Sequence, residues 1–133
     1  MAAIRDGSAY PEALANAFAD NFRKLGGSTV VESVKVGDRD MKPALARVAA
    51  SKPELIYFPV FDPEGGLICA QMRDVAGLEK TVMMGADGIF SSNILKACGK
   101  NVIGMYFSSP DFSSSGGDYP IFVSKYLKKY NVK

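Results

Sequence analysis

A chain of 133 residues, 47% hydrophobic and 23% charged, has the length and composition of one globular domain. Its net charge of +2, with acids and bases interspersed, argues against a dedicated nucleic-acid or anionic-membrane surface, and no apolar run approaches the roughly 20 residues that span a bilayer. The sequence contains no histidine, which excludes His-based acid–base catalysis, Ser-His-Asp triads and His-ligated metals.

Ala2–Arg5 reads as a short strand, with no hydrophobic signal region around it; a secreted parent would carry its signal elsewhere. A helix is expected from about Pro11 to Leu25, with Leu14, Phe18, Phe22 and Leu25 as its buried stripe and Gly26-Gly27 as its stop. Thr29–Val36, rich in β-branched residues, reads as the second strand. Asp40 then caps a helix over Met41–Ala50 that packs through Ala44, Leu45, Val48 and Ala49. Leu55–Val60 lacks polar alternation, the mark of a central strand covered on both faces.

The third helix is expected over Pro63–Ala76, with Leu67, Ile68 and Met72 inward. The fourth strand covers Thr81–Met84, the fourth helix Ser91–Ala97, and the fifth strand Val102–Ser108. A serine- and glycine-rich loop from Pro110 to Gly117 leads to a last helix over Tyr119–Tyr130. Cys69 and Cys98 fall in the third and fourth helices with neither zinc nor redox-motif spacing. They read first as half-buried thiols, with a disulfide between adjacent helices as the alternative.

Strands separated by helices of about 10 to 15 residues imply parallel βαβ units with right-handed crossovers. The economical architecture is a three-layer α/β/α, Rossmann-like (flavodoxin-like) lobe: a five-stranded parallel sheet in order 2-1-3-4-5 with helices on both faces. In that order the ends of the first, third and fourth strands converge at one edge, where such folds bind ligands. Those ends carry Asp6 to Tyr10, Phe61 and Asp62, and Asp87 between Ala86 and Gly88.

A carboxylate on an aromatic-walled crevice suits an ammonium group, through charge-assisted hydrogen bonds and cation–π contact with Tyr10 or Phe61. Packing for the two aromatics and turn capping for Asp87 are the plainer alternatives. Asp62 and Glu64 read as acids favouring the positive end of the third helix. No GxGxxG follows a strand, and Lys24 to Gly27 end a helix where a phosphate loop would begin one. Asp6 and Asp62 loosely permit a magnesium-dependent receiver-like domain, but Ser108-Ser109-Pro110 stand where such a domain needs a lysine.

The segments DGSAYPEAL, KVGDRDMKPALARVAASKPELIYFPVFDPEGG, ICAQMRDVAGL, VMMGADG and NVIGMYFSSP, in this order, resemble one lobe of the type I periplasmic binding proteins for leucine, isoleucine and valine. The resemblance runs from Ile4 to about Tyr130. It implies the carboxyl-terminal lobe of a two-lobed, non-enzymatic extracellular protein that feeds an ABC importer. The amino-terminal lobe and a returning segment would be absent from this chain. It further implies that Tyr10 and Phe61 flank a small-molecule ligand and Asp87 takes its α-ammonium, with no cofactor or metal.

Branched-chain binders often carry tyrosine where Phe61 stands and glutamate where Asp87 stands. These departures leave room for a related amino acid, an amide or an aromatic acid, or for a sensor domain of the same fold. The implied partners are the missing lobe, the importer permease and a second copy of the isolated lobe, in a periplasmic or extracellular setting.

Overall fold

The apolar run Leu55–Phe58 forms the middle strand of a five-stranded parallel sheet in the computed structural model, which describes residues 1–110 and 118–131. The serine-rich stretch expected as a loop falls, beyond Pro110, outside the described residues. In chain order the elements are β1 (Ala2–Arg5), α1 (Ala9–Lys24), β2 (Val30–Ser33), α2 (Lys42–Ala49), β3 (Leu55–Phe58), α3 (Glu64–Met72), β4 (Val82–Ala86), α4 (Ser92–Cys98), β5 (Tyr106–Ser108) and α5 (Asp118–Tyr130). The sheet order is β2-β1-β3-β4-β5, as the alternation of strands and helices implies. No helix among the described residues is long and apolar enough to cross a membrane.

Successive strand residues point to opposite faces, and the two faces are filled differently. Ile56 and Phe58 of β3 join Ile4, Met83 and the buried sides of α2, α3 and α4 in the main core. Tyr57 points the other way, its ring stacked on Phe18 of α1 at 4.3 Å. Ala3, Tyr57, Met84 and Tyr106 are successive register partners and so share the α1 face. Along that row exposure rises to 63% at Tyr106, because α1 covers only the half of the face over β1, β2 and β3. On α5, Tyr119, Phe122, Tyr126 and Tyr130 all remain exposed.

Three expectations are corrected. The contact face of α1 is small: Pro11, Ala15 and Ala19 are buried, Leu14, Phe18 and Phe22 only half-buried, and Leu25 is 85% exposed. Alanines let the helix backbone lie close to the strands, so the larger residues flank the contact, and Leu25 sits past the last helical turn. The fifth strand is shorter than its apolar sequence suggests. Gly99 to Val102 form a 3-10 turn, and Gly99 and Gly104 take positive φ (56° and 83°), which delays extended backbone to Tyr106.

The cysteines are not thiols: Cys69 of α3 and Cys98 of α4 form a disulfide, their Cα atoms 5.3 Å apart, within the span such a bridge needs. Sequence spacing could not show that α3 and α4 are neighbours. They approach so closely that a Cβ on Gly66 would lie 2.7 Å from Cβ of Ala97.

Replacing both cysteines by alanine is expected to lower unfolding stability in urea by about 2–4 kcal/mol, the usual contribution of such a cross-link. The unchanged chain should give no thiol reaction until it is reduced. A reactive thiol in the native oxidised chain would contradict the bridge.

Candidate functional site

Each wall of the site begins where a parallel strand runs out. After β1, Asp6 turns the chain: its Oδ1 accepts from Ser8 N at 2.9 Å and from Ser8 Oγ at 2.5 Å. The backbone of Ser8 is thereby held extended, and α1 opens at Ala9 with Tyr10 in its first turn. After β3, Pro59 and Val60 stay buried while Phe61 emerges at 44% exposure. After β4, Ala86 is extended and Asp87–Ile89 form a 3-10 turn.

That last turn is keyed in place by Ile89, which is fully buried. A Cβ on Gly65 would lie 2.5 Å from Ile89 Cγ2, and one on Gly85 would lie 2.7 Å from its Cδ1. The missing side chains make the slot that Ile89 fills. Asp87 is therefore carried on a turn fixed against both β4 and the first turn of α3.

The three residues expected at the crevice come together. Tyr10 Oη donates to Asp87 Oδ1 at 2.5 Å, and the Tyr10 and Phe61 rings lie 5.7 Å apart, tilted by 32°. Phe61 rests on the backbone after Asp87, where a Cβ on Gly88 would meet its Cδ1 at 2.8 Å and its Cε1 at 2.9 Å. Among the described residues no Lys or Arg pairs with Asp87. The cation at the end of β1, Arg5, is bound to Glu12 at 2.5 Å and Asn16 at 3.2 Å.

Among the described residues the one side-chain group that hydrogen-bonds Asp87 is the Tyr10 phenol. That bond, with burial and the carboxylate's charge adding, pushes the Tyr10 phenol up to about 12.

Beside this pair lies a cavity of about 230 Å³ lined by Tyr10, Leu14, Asp87, Ser108, Ser109 and Pro110. Phe61 is not part of its lining. A larger hollow of about 550 Å³ lies at the opposite edge, around Pro53, Glu54 and Thr81 at the strand starts. Size alone does not mark the site.

Asp62 and Glu64 have structural partners instead of simply facing solvent at the start of α3. Asp62 Oδ2 accepts from Ser91 Oγ at 3.5 Å. Glu64 is buried and its Oε1 accepts from Gly37 N at 2.6 Å, pinning the loop between β2 and α2. Asp6 and Asp62, the two acids of the receiver-like alternative, thus each contact a serine.

Ser108 and Leu14 were not singled out by the sequence as members of the site. Only the register, in which Ser108 is the partner of Ala86, places Ser108 next to Asp87.

A family described as periplasmic binding protein matches residues 1–133. The chain is 33% identical over 111 residues to a Leu/Ile/Val-binding protein homolog of Brucella melitensis, covering 82% of this chain and 29% of the relative. It is 32% identical over 90 residues to the Leu/Ile/Val-binding protein BraC3 of Rhizobium johnstonii, covering 67% and 24%. Among solved structures, the leucine binding protein LivK of Thermotoga maritima superposes with a TM-score of 0.77 at 26% identity, over 99% of this chain and 38% of that one. The fold is also shared with LivJ of Streptococcus pneumoniae, solved with isoleucine, at a TM-score of 0.65, 22% identity and the same coverage. This chain therefore spans about a quarter to two-fifths of the length of these proteins.

Two outcomes follow from the geometry. Gly88→Ala should swing the half-exposed Phe61 ring away, abolishing the Tyr10–Phe61 ring NOE with little loss of stability; a retained NOE would contradict the contact. The Tyr10 phenol, raised from 10.0 to about 12, stabilises the fold while protonated. Its contribution is complete below pH 10 and is lost as pH rises towards 12. NMR titration of ring-labelled tyrosine should show Asp87→Asn returning Tyr10 towards the ordinary phenol value.

Proposed function

Because this chain belongs to the periplasmic binding protein family, we propose that it is the carboxyl-terminal lobe of a two-lobed solute-binding protein that captures an amino acid, branched-chain or related, for an ABC importer. The observation that carries this reading is Asp87: a carboxylate without a cationic partner among the described residues, held by Tyr10 at an aromatic strand edge. Such a group attracts an ammonium, with the Tyr10 ring lining the cavity beside it and Phe61 packed against Tyr10 and Gly88. The names of the relatives, and the isoleucine bound to one neighbour of the same fold, support the class of ligand.

The second wall belongs to the rest of the protein, a reading supported by the fraction of each relative that this chain covers. Ligand is held when the two lobes close, because only the closed state contacts it from both sides. This lobe performs no chemistry on what it binds. Its partners are the opposing lobe and an importer permease in the periplasm or outside the cell. When isolated, it self-associates through surfaces the intact protein covers, among them the exposed aromatic face of α5.

Calorimetric titration of the longest natural chain containing this sequence with leucine, isoleucine, valine and phenylalanine tests the proposal. Asp87→Ala should weaken the best ligand by roughly ten- to a hundredfold, the usual loss of a hydrogen bond to a charged group. Affinity unchanged by Asp87→Ala would overturn the ammonium assignment.

A further inference from the structure

Ser108 lies in a segment that carries the family resemblance but is given no role by it, yet it lines the same cavity as Asp87 and Tyr10. Its hydrogen bonds set its direction. Ser108 Oγ donates to the Gly85 carbonyl at 3.5 Å, and a hydroxyl has one proton to give. In the 3.2 Å contact between Tyr57 Oη and Ser108 Oγ either hydroxyl can donate, and donation by Tyr57 is the arrangement that leaves neither proton without an acceptor among the described residues. Two lone pairs belong to Ser108, one of which receives the Tyr57 proton. The other has no partner among the described residues.

Tyr57 is suited to a fixed role behind this serine. Its side chain is 3% exposed and its ring is held by Phe18. Burial raises its phenol above the usual value, so the proton stays on Tyr57. Among the described residues Ser108 is the only partner of its hydroxyl, and a buried O–H without an acceptor is costly.

An ammonium carries three N–H donors. Asp87 Oδ1 already accepts from Tyr10, and Oδ2 has no partner among the described residues. An ammonium at Oδ2 would still have N–H groups to satisfy, and Ser108 is the neutral acceptor at hand. Resting on the functional reading above, we infer that Ser108 is a second acceptor for the ligand's ammonium group and that buried Tyr57 is the positioning residue that aims it.

The test uses the longest natural chain containing this sequence, the tightest binder among leucine, isoleucine, valine and phenylalanine, and the N-methyl derivative of that amino acid, which has one N–H fewer. Ser108→Ala should weaken the parent amino acid about tenfold and lower the unfolding midpoint, since it leaves the buried Tyr57 hydroxyl without its acceptor, while Ser108→Thr, which keeps the hydroxyl, should bind within about twofold of the unchanged protein. Tyr57→Phe should weaken it about threefold, by releasing Ser108 from its orientation. For the N-methyl derivative the loss on Ser108→Ala should shrink towards none.

Tight binding by Ser108→Ala alongside lost binding by Asp87→Ala would overturn the role of Ser108 and leave the functional reading standing. Equal losses for both ligands would overturn it as well, since Ser108 would then act on something other than the ammonium. If the unchanged protein binds none of the four amino acids, both readings fall together.

Discussion

All five strands point the same way, and this constraint organises the rest of the molecule. Parallel pairing requires each strand to return by a crossover, which lays helices on the faces and delivers every strand's carboxyl end to a single edge. Tyr10 and Asp87 are 77 residues apart, yet they share a hydrogen bond because each stands just past such an end. The order β2-β1-β3-β4-β5 then makes the strands carrying Tyr10, Phe61 and Asp87 consecutive neighbours. An antiparallel sheet would have divided these residues between two edges.

Within that frame, small residues fix the large ones. Ala15 and Ala19 bring α1 down onto the sheet, Gly66 admits α4 beside α3, and Gly65 and Gly85 leave the slot taken by Ile89. The cross-link between Cys69 and Cys98 closes the same α3–α4 seam from within the core. Phe61 precedes one of these helices and Asp87 the other. Tight packing beneath the edge is thus what sets the spacing of side chains above it.

How much was legible in the sequence follows the range of the signal. Strand and helix identities came from local patterns, so Leu55–Phe58 and the strand order were both readable. Convergence of Tyr10, Phe61 and Asp87 was legible too, since strand order alone brings those ends together. What a helix presents to its neighbours was not. The apolar periodicity of α1 suggested Leu25 and Phe22, whereas distance to the strands selected Ala15 and Ala19. Glu64, Ser108 and the disulfide depend on which loops and helices lie beside one another, and no local pattern records that.

The direction of the hydroxyl protons at the site has a consequence for the polarity of what can enter. Tyr10 gives its proton to Asp87, Tyr57 to Ser108, Ser108 to Gly85 and Ser109 to the Pro110 carbonyl. In this arrangement each of these side-chain hydroxyls spends its proton on a group of the lobe itself and has lone pairs left over. A molecule with a donor at one end and an acceptor at the other is therefore sorted by orientation before any opposing surface touches it. Under the proposed function its donor end would go in first, and its acceptor end would be left facing outward for the opposing lobe.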